Sequence, residues 1–443
     1  MSAETVFVPP STLRMLEAAP LDRPVAVLLR HSARPPLPPG DEGFHVPITD
    51  DGVRIARELG ARVGPRLRSL HSSPLLRCVQ TAQSLAEGAR ASLTVPTDTL
   101  LGHPGVFVVH GGAGRVWRQL GHDEVMAHLV GSRDAELDGV ADADAAARFL
   151  VQRMLSESTP GIHVFVTHDS LVTATAARLL GIAFDRSAWP LYLDGAWFWR
   201  DGPRTFIGYQ EWSGWREQPL CSITERDVLA LARREINAVI DERIDARFCL
   251  AGGAFKSLLT GRRARDLDLW AASENDRARL IVGLRERGAS LVETRPYSEV
   301  FSLGDRVIDV PKNCSTESLE ARIARFDIGL SAIGVEHAPG GALRASISPI
   351  ARESVERREV LFCKPLVNRR HALTSLMRLR RYGHELGFAV PTSEEDAVWD
   401  VFDGQDDDEK RTMIDRLRRS EGEHALAGEL AARGWSSSRD GAD

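Results

Sequence analysis

Arg30-His31-Ser32-Ala33-Arg34 sets one imidazole between two guanidinium groups within five residues. A neutral imidazole nitrogen attacks phosphorus, and forked guanidinium donors hold phosphoryl oxygens. The chemistry implied is transfer of a phosphoryl group onto His31 as a phosphohistidine. Taken alone, such a cluster after a strand reads equally well as an ordinary surface. Two later segments shift that balance. Ser72-Ser73-Pro74-Leu75-Leu76-Arg77 puts Arg77 at the start of a helix, where free amides and the helix dipole favour phosphate. Ile162-His163-Val164-Phe165-Val166-Thr167-His168-Asp169 is an apolar run ending in a histidine and a carboxylate.

In residues and in order along the chain, these segments resemble the histidine phosphatase (phosphoglycerate-mutase-like) superfamily over residues 22–212. The resemblance implies His31 as nucleophile, with Arg30, Arg34, Arg77 and His168 holding the phosphoryl group and no cofactor. Many members of that superfamily carry a catalytic glutamate in the region matching Thr97 to Gly121. Asp98 is the only carboxylate there in this chain. Asp169 is therefore the expected proton donor, as in the acid phosphatase branch, with Asp98 as the fallback. Arg-His-x-x-Arg-Pro and His-Asp look like that branch, whereas Ser-Ser-Pro-Leu-Leu-Arg looks like the mutase branch. The mixture favours a phosphatase over a mutase.

A second constellation begins with Gly252-Gly253, which let a backbone turn approach phosphates, followed by Lys256. In Asp266-Leu267-Asp268-Leu269 the carboxylates alternate with leucines, so on a strand both point to one face. Side-by-side carboxylates repel unless a divalent cation neutralises them. Asp309 lies within the apolar run Val307-Ile308-Asp309-Val310, where a bare charge is costly. We expect its strand to run antiparallel to that of Asp266 and Asp268 and to face the same pocket. The pattern resembles the polymerase-β-like nucleotidyltransferases, particularly the head of CCA-adding and poly(A) polymerases. That resemblance implies Gly252, Gly253 and Lys256 at an NTP, Mg²⁺ on Asp266, Asp268 and Asp309, and Asp327 near the nucleotide sugar and base. CCA-adding enzymes usually carry Arg-Asp after the glycines, where this chain has Lys256-Ser257, a departure that leaves the acceptor open.

The elements that must position these residues follow from pattern. Val25 to Leu29 is a continuous apolar run, as for a buried strand of a parallel sheet, whose carboxyl end is where ligands bind. Pro35 to Gly43 is a loop over the phosphate pocket, and Thr49 caps a helix over Val53 to Val63. Strand and helix alternate, so the expected fold is α/β: a doubly wound phosphoglycerate-mutase-like domain over 1–219, closed by edge strands within 191–212. An α+β nucleotidyltransferase head follows over 220–345, then a helical region over 346–443 with a disordered tail from Ser436.

At 443 residues the chain exceeds one hydrophobic core. A 43% hydrophobic and 27% charged composition is that of an ordinary globular protein. Five scattered cysteines without a Cys-x-x-Cys pair argue against a zinc site or disulfide framework and for a cytoplasmic setting. There is no membrane-spanning run, and a net charge of −6 gives no global attraction to nucleic acid. Locally, Lys364, Arg369, Arg370, His371, Arg378, Arg380 and Arg381 are either a solvated face balanced by the acidic run Asp403 to Glu409 or a track for a phosphate backbone. The oligomeric state is open. Three roles follow: removal of a terminal phosphate from an RNA 3′ end and its extension, the same pair of reactions on a sugar or natural product, or a sensor in which one domain no longer catalyses.

Overall fold

The computed structural model describes residues 7–37, 43–131, 136–264, 266–363, 366 and 368–435. Most of the loop from Pro35 to Gly43, Lys364 and the tail from Ser436 lie outside them. The chain divides into two compact units, Met1–Cys221 with Leu259–Arg263, and Ser222–Leu258 with Ala264–Asp443. The C-terminal helices belong to the second of these.

The first unit contains, in chain order, α1 (Pro10–Ala18), β1 (Pro24–Arg30), α2 (Asp50–Val63), β2 (Leu67–Ser72), α3 (Leu76–Ala89), α4 (Gly112–Val130), α5 (Ala143–Met154), β3 (Gly161–Thr167), α6 (Asp169–Leu180), β4 (Gly195–Asp201), β5 (Arg204–Tyr209) and β6 (Trp212–Glu217). Its sheet runs β2-β3-β1-β4-β5-β6. Val25, Val27 and Leu29 on one face of β1 pack with Ile55 and Leu59 of α2 and Ala82 and Leu85 of α3. On the opposite face α6 packs against β1 and β4. Thr49 caps α2 by accepting from the Gly52 amide at 3.0 Å.

Only β2, β3 and β1 are parallel; β4, β5 and β6 are antiparallel. The last three strands are antiparallel because the turns after β4 and β5 hold only two residues each, and parallel neighbours need a crossover of a dozen or more. Nor is β4 an edge strand. It pairs with β1 and β5, with Trp197 and Phe198 buried, and β6 forms the edge.

The second unit contains α7 (Glu225–Val239), β7 (Phe248–Ala251), the first half of α8 (Ser257–Thr260), β8 (Asp266–Ala271), α9 (Glu274–Glu286), β9 (Ser290–Thr294), β10 (Ser298–Leu303), β11 (Arg306–Pro311), α10 (Leu319–Ile323), β12 (Ile333–Ala338), β13 (Ala342–Ile347), α11 (Pro349–Arg357), α12 (Ala372–Leu386), α13 (Thr392–Asp403), α14 (Asp407–Glu421) and α15 (Ala427–Ala432). Its sheet runs β13-β12-β7-β8-β11-β10-β9. A capping box between Thr224 and Asp227 starts α7. The strand carrying Asp309, β11, pairs with β8 in parallel, not antiparallel as the sequence suggested. The α9 crossover and the β9–β10 hairpin return the chain in the same direction as β8 before β11 forms.

The arginines of the C-terminal stretch are mostly paired. Arg370 meets Glu409 at 2.8 Å, Arg380 meets Glu395 and Glu429 at 2.8 Å each, and Arg381 lies 3.8 Å from Glu421. Of the acidic run Asp403 to Glu409 only Glu409 is among these partners; Glu395, Glu421 and Glu429 lie outside it. Among the described residues, no helix is long and apolar enough to cross a membrane.

Glu235 of α7 is fully buried, and Arg306 at the start of β11 pairs with it at 2.8 Å. Breaking such a pair leaves a buried charge, which costs about 3–5 kcal/mol. Arg306→Ala should therefore destabilise the second unit by about 3 kcal/mol in urea unfolding. Replacing both residues with Leu and Met should recover most of that loss, and equal losses in the single and double variants would contradict a charge-pair role.

Candidate active sites

In the first unit, adjacent parallel strands deliver the two histidines. Arg30 of β1 is paired with Thr167 of β3, so His31 and His168 leave the sheet side by side, with ring centroids 5.6 Å apart. The His31 amide donates to Thr167 O at 2.9 Å. His31 Nδ1 donates to the Ser32 carbonyl at 2.8 Å, and Arg77 Nε donates to His31 Nε2 at 3.2 Å. An N–H aimed at Nε2 fixes that nitrogen as the acceptor. The free lone pair of His31 is therefore on Nε2, pointing at the arginine that would hold a phosphoryl group.

Arg77 is buried and reaches three partners. Its Nη1 donates to Gly43 O at 2.5 Å, and its Nη2 lies 3.4 Å from His168 Nδ1. His168 Nε2 in turn contacts Ser73 Oγ at 3.1 Å. Burial, then the charges of His168, Arg77 and Arg30, push the His31 imidazole well below its usual range. Burial followed by Arg77 pushes His168 down to about 3. Both shifts favour the neutral imidazoles.

Arg30 donates to Pro190 O at 2.6 Å, pairs with Asp169 at 2.9 Å and lies 4.4 Å from the ring centroid of Tyr192. Arg34 gives one N–H to Pro35 O at 2.8 Å. The Nε atoms of Arg30 and Arg34 are both buried without a hydrogen-bond partner. Orphaned guanidinium donors are costly unless an anion completes them. Asp98 does not join this pocket. It caps the Leu100 amide at 2.8 Å and lies 3.4 Å from Arg153.

In the second unit, Asp268 and Asp309 are direct partners on adjacent parallel strands, and Asp266 precedes Asp268 by two residues on the same face. Neighbouring strands run about 4.8 Å apart, so Asp268 and Asp309 are neighbours across the sheet, although among the described residues the three carboxylates do not bring one oxygen each within 4.8 Å of one another. Burial, then repulsion from Asp309 and Asp266, pushes the Asp268 carboxyl up to about 7. Burial also raises Asp309, although the Ser298 hydroxyl at 3.2 Å and Arg295 at 3.4 Å pull the other way. This is an anion set short of counter-charge, and hard oxygen donors of this kind fit Mg²⁺. Asp266, Asp268 and Asp309 would be the residues to hold such an ion, which would supply charge neutralisation there.

Gly252, at φ +114°, lets the end of β7 pass this cluster, because a Cβ there would sit 3.0 Å from Asp268 Oδ2. A Cβ on Gly253 would come within 2.7 Å of the Tyr382 hydroxyl. Lys256 stands over the Tyr382 ring at 3.6 Å and pairs with Glu385 at 2.8 Å. Asp327 is not among the three carboxylates. Arg378 meets both of its oxygens at 2.9 Å and Ser375 donates at 2.6 Å. These groups line a cavity of about 420 Å³ together with Trp270, Phe326, Arg322 and His371.

Residues 40–193 match the family model of the histidine phosphatase superfamily, branch 1. The first unit thus carries a histidine phosphatase superfamily domain. No curated protein matches the chain. Among solved structures, a tRNA-processing enzyme in its apo form is 14% identical with a TM-score of 0.33, covering 48% of this chain and 57% of that one. A CCA-adding enzyme complexed with CTP is 12% identical with a TM-score of 0.34, covering 47% and 53%. The Thermotoga maritima CCA-adding enzyme complexed with tRNA is 13% identical with a TM-score of 0.30, covering 47% and 50%. This chain spans 50–57% of the length of these structures.

Three residues of the phosphatase domain were not singled out from sequence: Ser73 against His168, Tyr192 under Arg30, and Gly102. A Cβ on Gly102 would lie 2.7 Å from both His168 Nε2 and Ser73 Oγ, so a bare backbone is needed there. Its signal was weak, one glycine in the glycine-rich stretch that held no acidic residue besides Asp98.

The raised Asp268 carboxyl has a defined pH signature. Its folded value of about 7 exceeds the unfolded value of about 3.9. The folded state therefore binds the extra proton between pH 4 and 7, and stability falls as pH rises through that window. Asp268→Asn should raise the Tm of the metal-free protein at pH 8 and change it little at pH 4. Millimolar Mg²⁺ should stabilise the parent more at pH 8 than at pH 5. A metal response independent of pH would contradict the site.

Proposed function

We propose that the chain is a bifunctional enzyme, hydrolysing a phosphomonoester in the first unit and transferring a nucleotide from an NTP to a hydroxyl in the second. One observation carries the first half: His31 presents an unprotonated Nε2 to Arg77, with further cationic donors of Arg30 and Arg34 left unpaired. In this reading His31 Nε2 attacks phosphorus while Arg30, Arg34, Arg77 and His168 hold its oxygens. The bond to the leaving oxygen breaks as that oxygen takes a proton from Asp169. Water then attacks the phosphohistidine, giving a proton back to the Asp169 carboxylate, and the N–P bond breaks to release phosphate and restore His31.

For the second half, the supporting observation is the clustering of Asp266, Asp268 and Asp309 on one face beside Gly252. These three would hold Mg²⁺, with Gly252, Gly253 and Lys256 at the triphosphate. The cavity beside Asp327 would take the nucleoside. The acceptor oxygen attacks the α-phosphorus, its proton passes to Asp309, and pyrophosphate leaves. A phosphatase exposes a hydroxyl and a nucleotidyltransferase extends one, so the two reactions run in sequence on a substrate such as an RNA 3′ end. The pairing of the α12 arginines argues that such a substrate is held by its end and not along a basic track. Taking both chemistries as cytoplasmic accords with NTP as a substrate.

His31→Ala should reduce hydrolysis of p-nitrophenyl phosphate at least a thousandfold and leave nucleotidyl transfer intact. Asp309→Ala should do the reverse. Assaying both variants with labelled NTPs and phosphorylated acceptors tests the assignment, and a His31→Ala protein that hydrolyses at the parent rate would overturn it.

A further inference from the structure

Asp327 and Arg378 stand together in the wall of the cavity proposed to take the nucleoside. Trp270 in the same wall is two residues beyond Asp268 on β8 and shares its face, so the cavity adjoins the carboxylate set. Phe326 reaches toward the glycine turn, because a Cβ on Gly252 would lie 3.5 Å from its ring.

Asp327 has no acceptor capacity left for a ligand. Its Oδ1 accepts from Arg378 Nη1 at 2.9 Å and from the Ile328 amide at 3.0 Å. Its Oδ2 accepts from the same Nη1 at 2.9 Å and from the Ser375 hydroxyl at 2.6 Å. Two donors on each oxygen fill a carboxylate. Arg378 is in the opposite condition. Only Nη1 is engaged, and its side chain is 38% exposed. Nε and Nη2, which share the other edge of the guanidinium, have no partner among the described residues. That edge is a pair of parallel N–H donors on a head held in place by Asp327.

The neighbouring His371 adds a donor of the same kind. Its Nε2 accepts from Arg416 at 3.0 Å, and burial, then the charges of Arg416 and Arg378, push its imidazole below the usual range. A neutral ring that accepts at Nε2 carries its proton on Nδ1. The Asp327–Arg378 pair is balanced in charge, so it suits the edge of a neutral base, whereas a triphosphate there would meet the Asp327 carboxylate. Guanine presents O6 and N7 as adjacent acceptors, the pattern that a forked guanidinium meets. Adenine and cytosine put an amino group at the corresponding edge, which would set donor against donor beside an acceptor already filled.

We propose that Arg378 selects a guanine nucleotide: Nε and Nη2 donate to O6 and N7 of GTP in the cavity, while Asp327 and Ser375 hold the guanidinium in register. This rests on the nucleotidyl-transfer reading and names the base for it.

The test is calorimetric titration of the full chain, with Mg²⁺ present, by ATP, CTP, GTP, ITP and 7-deaza-GTP. GTP should bind about tenfold more tightly than ATP or CTP, the discrimination expected of one forked contact. ITP keeps O6 and N7 and should match GTP within about twofold, whereas 7-deaza-GTP lacks the N7 acceptor and should fall toward ATP. Arg378→Lys keeps a cation beside Asp327 without the fork; it should weaken GTP about tenfold and leave ATP within about twofold, with the Tm unchanged. Equal binding of GTP and ATP, or of GTP and 7-deaza-GTP, by the parent overturns the selection whether or not the variant folds, and Mg²⁺-dependent binding of all five would leave the nucleotidyl-transfer reading in place. A parent that binds none of them overturns that reading along with it.

Discussion

The parallel pairing of β1 with β3 is the constraint on which the first unit depends. It ends two buried strands at the same level, so His31 and His168 emerge as neighbours and Arg77 can touch both. The strands are apolar and their ends are cationic, an arrangement that leaves the Arg30 and Arg34 Nε donors unpaired among the described residues. Asp169 offsets part of that charge through Arg30, but two guanidinium nitrogens remain buried without a partner. In the proposed reading a phosphoryl group would bring the missing oxygens. Low dielectric then has two effects: it keeps both imidazoles neutral, and it strengthens every contact to a bound dianion.

The second unit shows the opposite imbalance. Its strand register puts Asp268 against Asp309 with Asp266 nearby, and the cost appears as a carboxyl that holds its proton up to about 7. Arginine and hydroxyl donors reach Asp309 from one side only. One unit is thus short of anion and the other short of cation. In the proposed reading a phosphomonoester would complete the first and a divalent ion the second.

The sequence made some of this plain because the relevant signals are local. A strand that stops at Arg30-His31, a helix that begins at Arg77 and alternation in Asp266-Leu267-Asp268 need no knowledge of distant residues. The structure brings His31, Arg77 and His168 into direct contact and sets Asp309 opposite Asp268. What sequence misread depends on pairing between distant segments. The aromatic run of β4 looked like an edge because nothing local shows that β1 would cover it. The direction of β11 depends on the α9 crossover, not on its own residues. Asp327 was read from its segment alone, and its contacts with Arg378 and Ser375, some fifty residues on, add partners that the segment does not show. Gly102 and Tyr192 act by position, one by lacking a side chain and the other by lying under a guanidinium, and neither has a signature in composition.

The central claim for this chain is that His31 carries the phosphoryl group in transit. Rapid quenching of a reaction with a ³²P-labelled phosphomonoester, followed by peptide mapping under alkaline conditions, tests it most directly. The account predicts acid-labile, base-stable label on the peptide containing His31, bonded through Nε2 and absent from His31→Ala. Label on another residue, or hydrolysis at the parent rate by that variant, would contradict it.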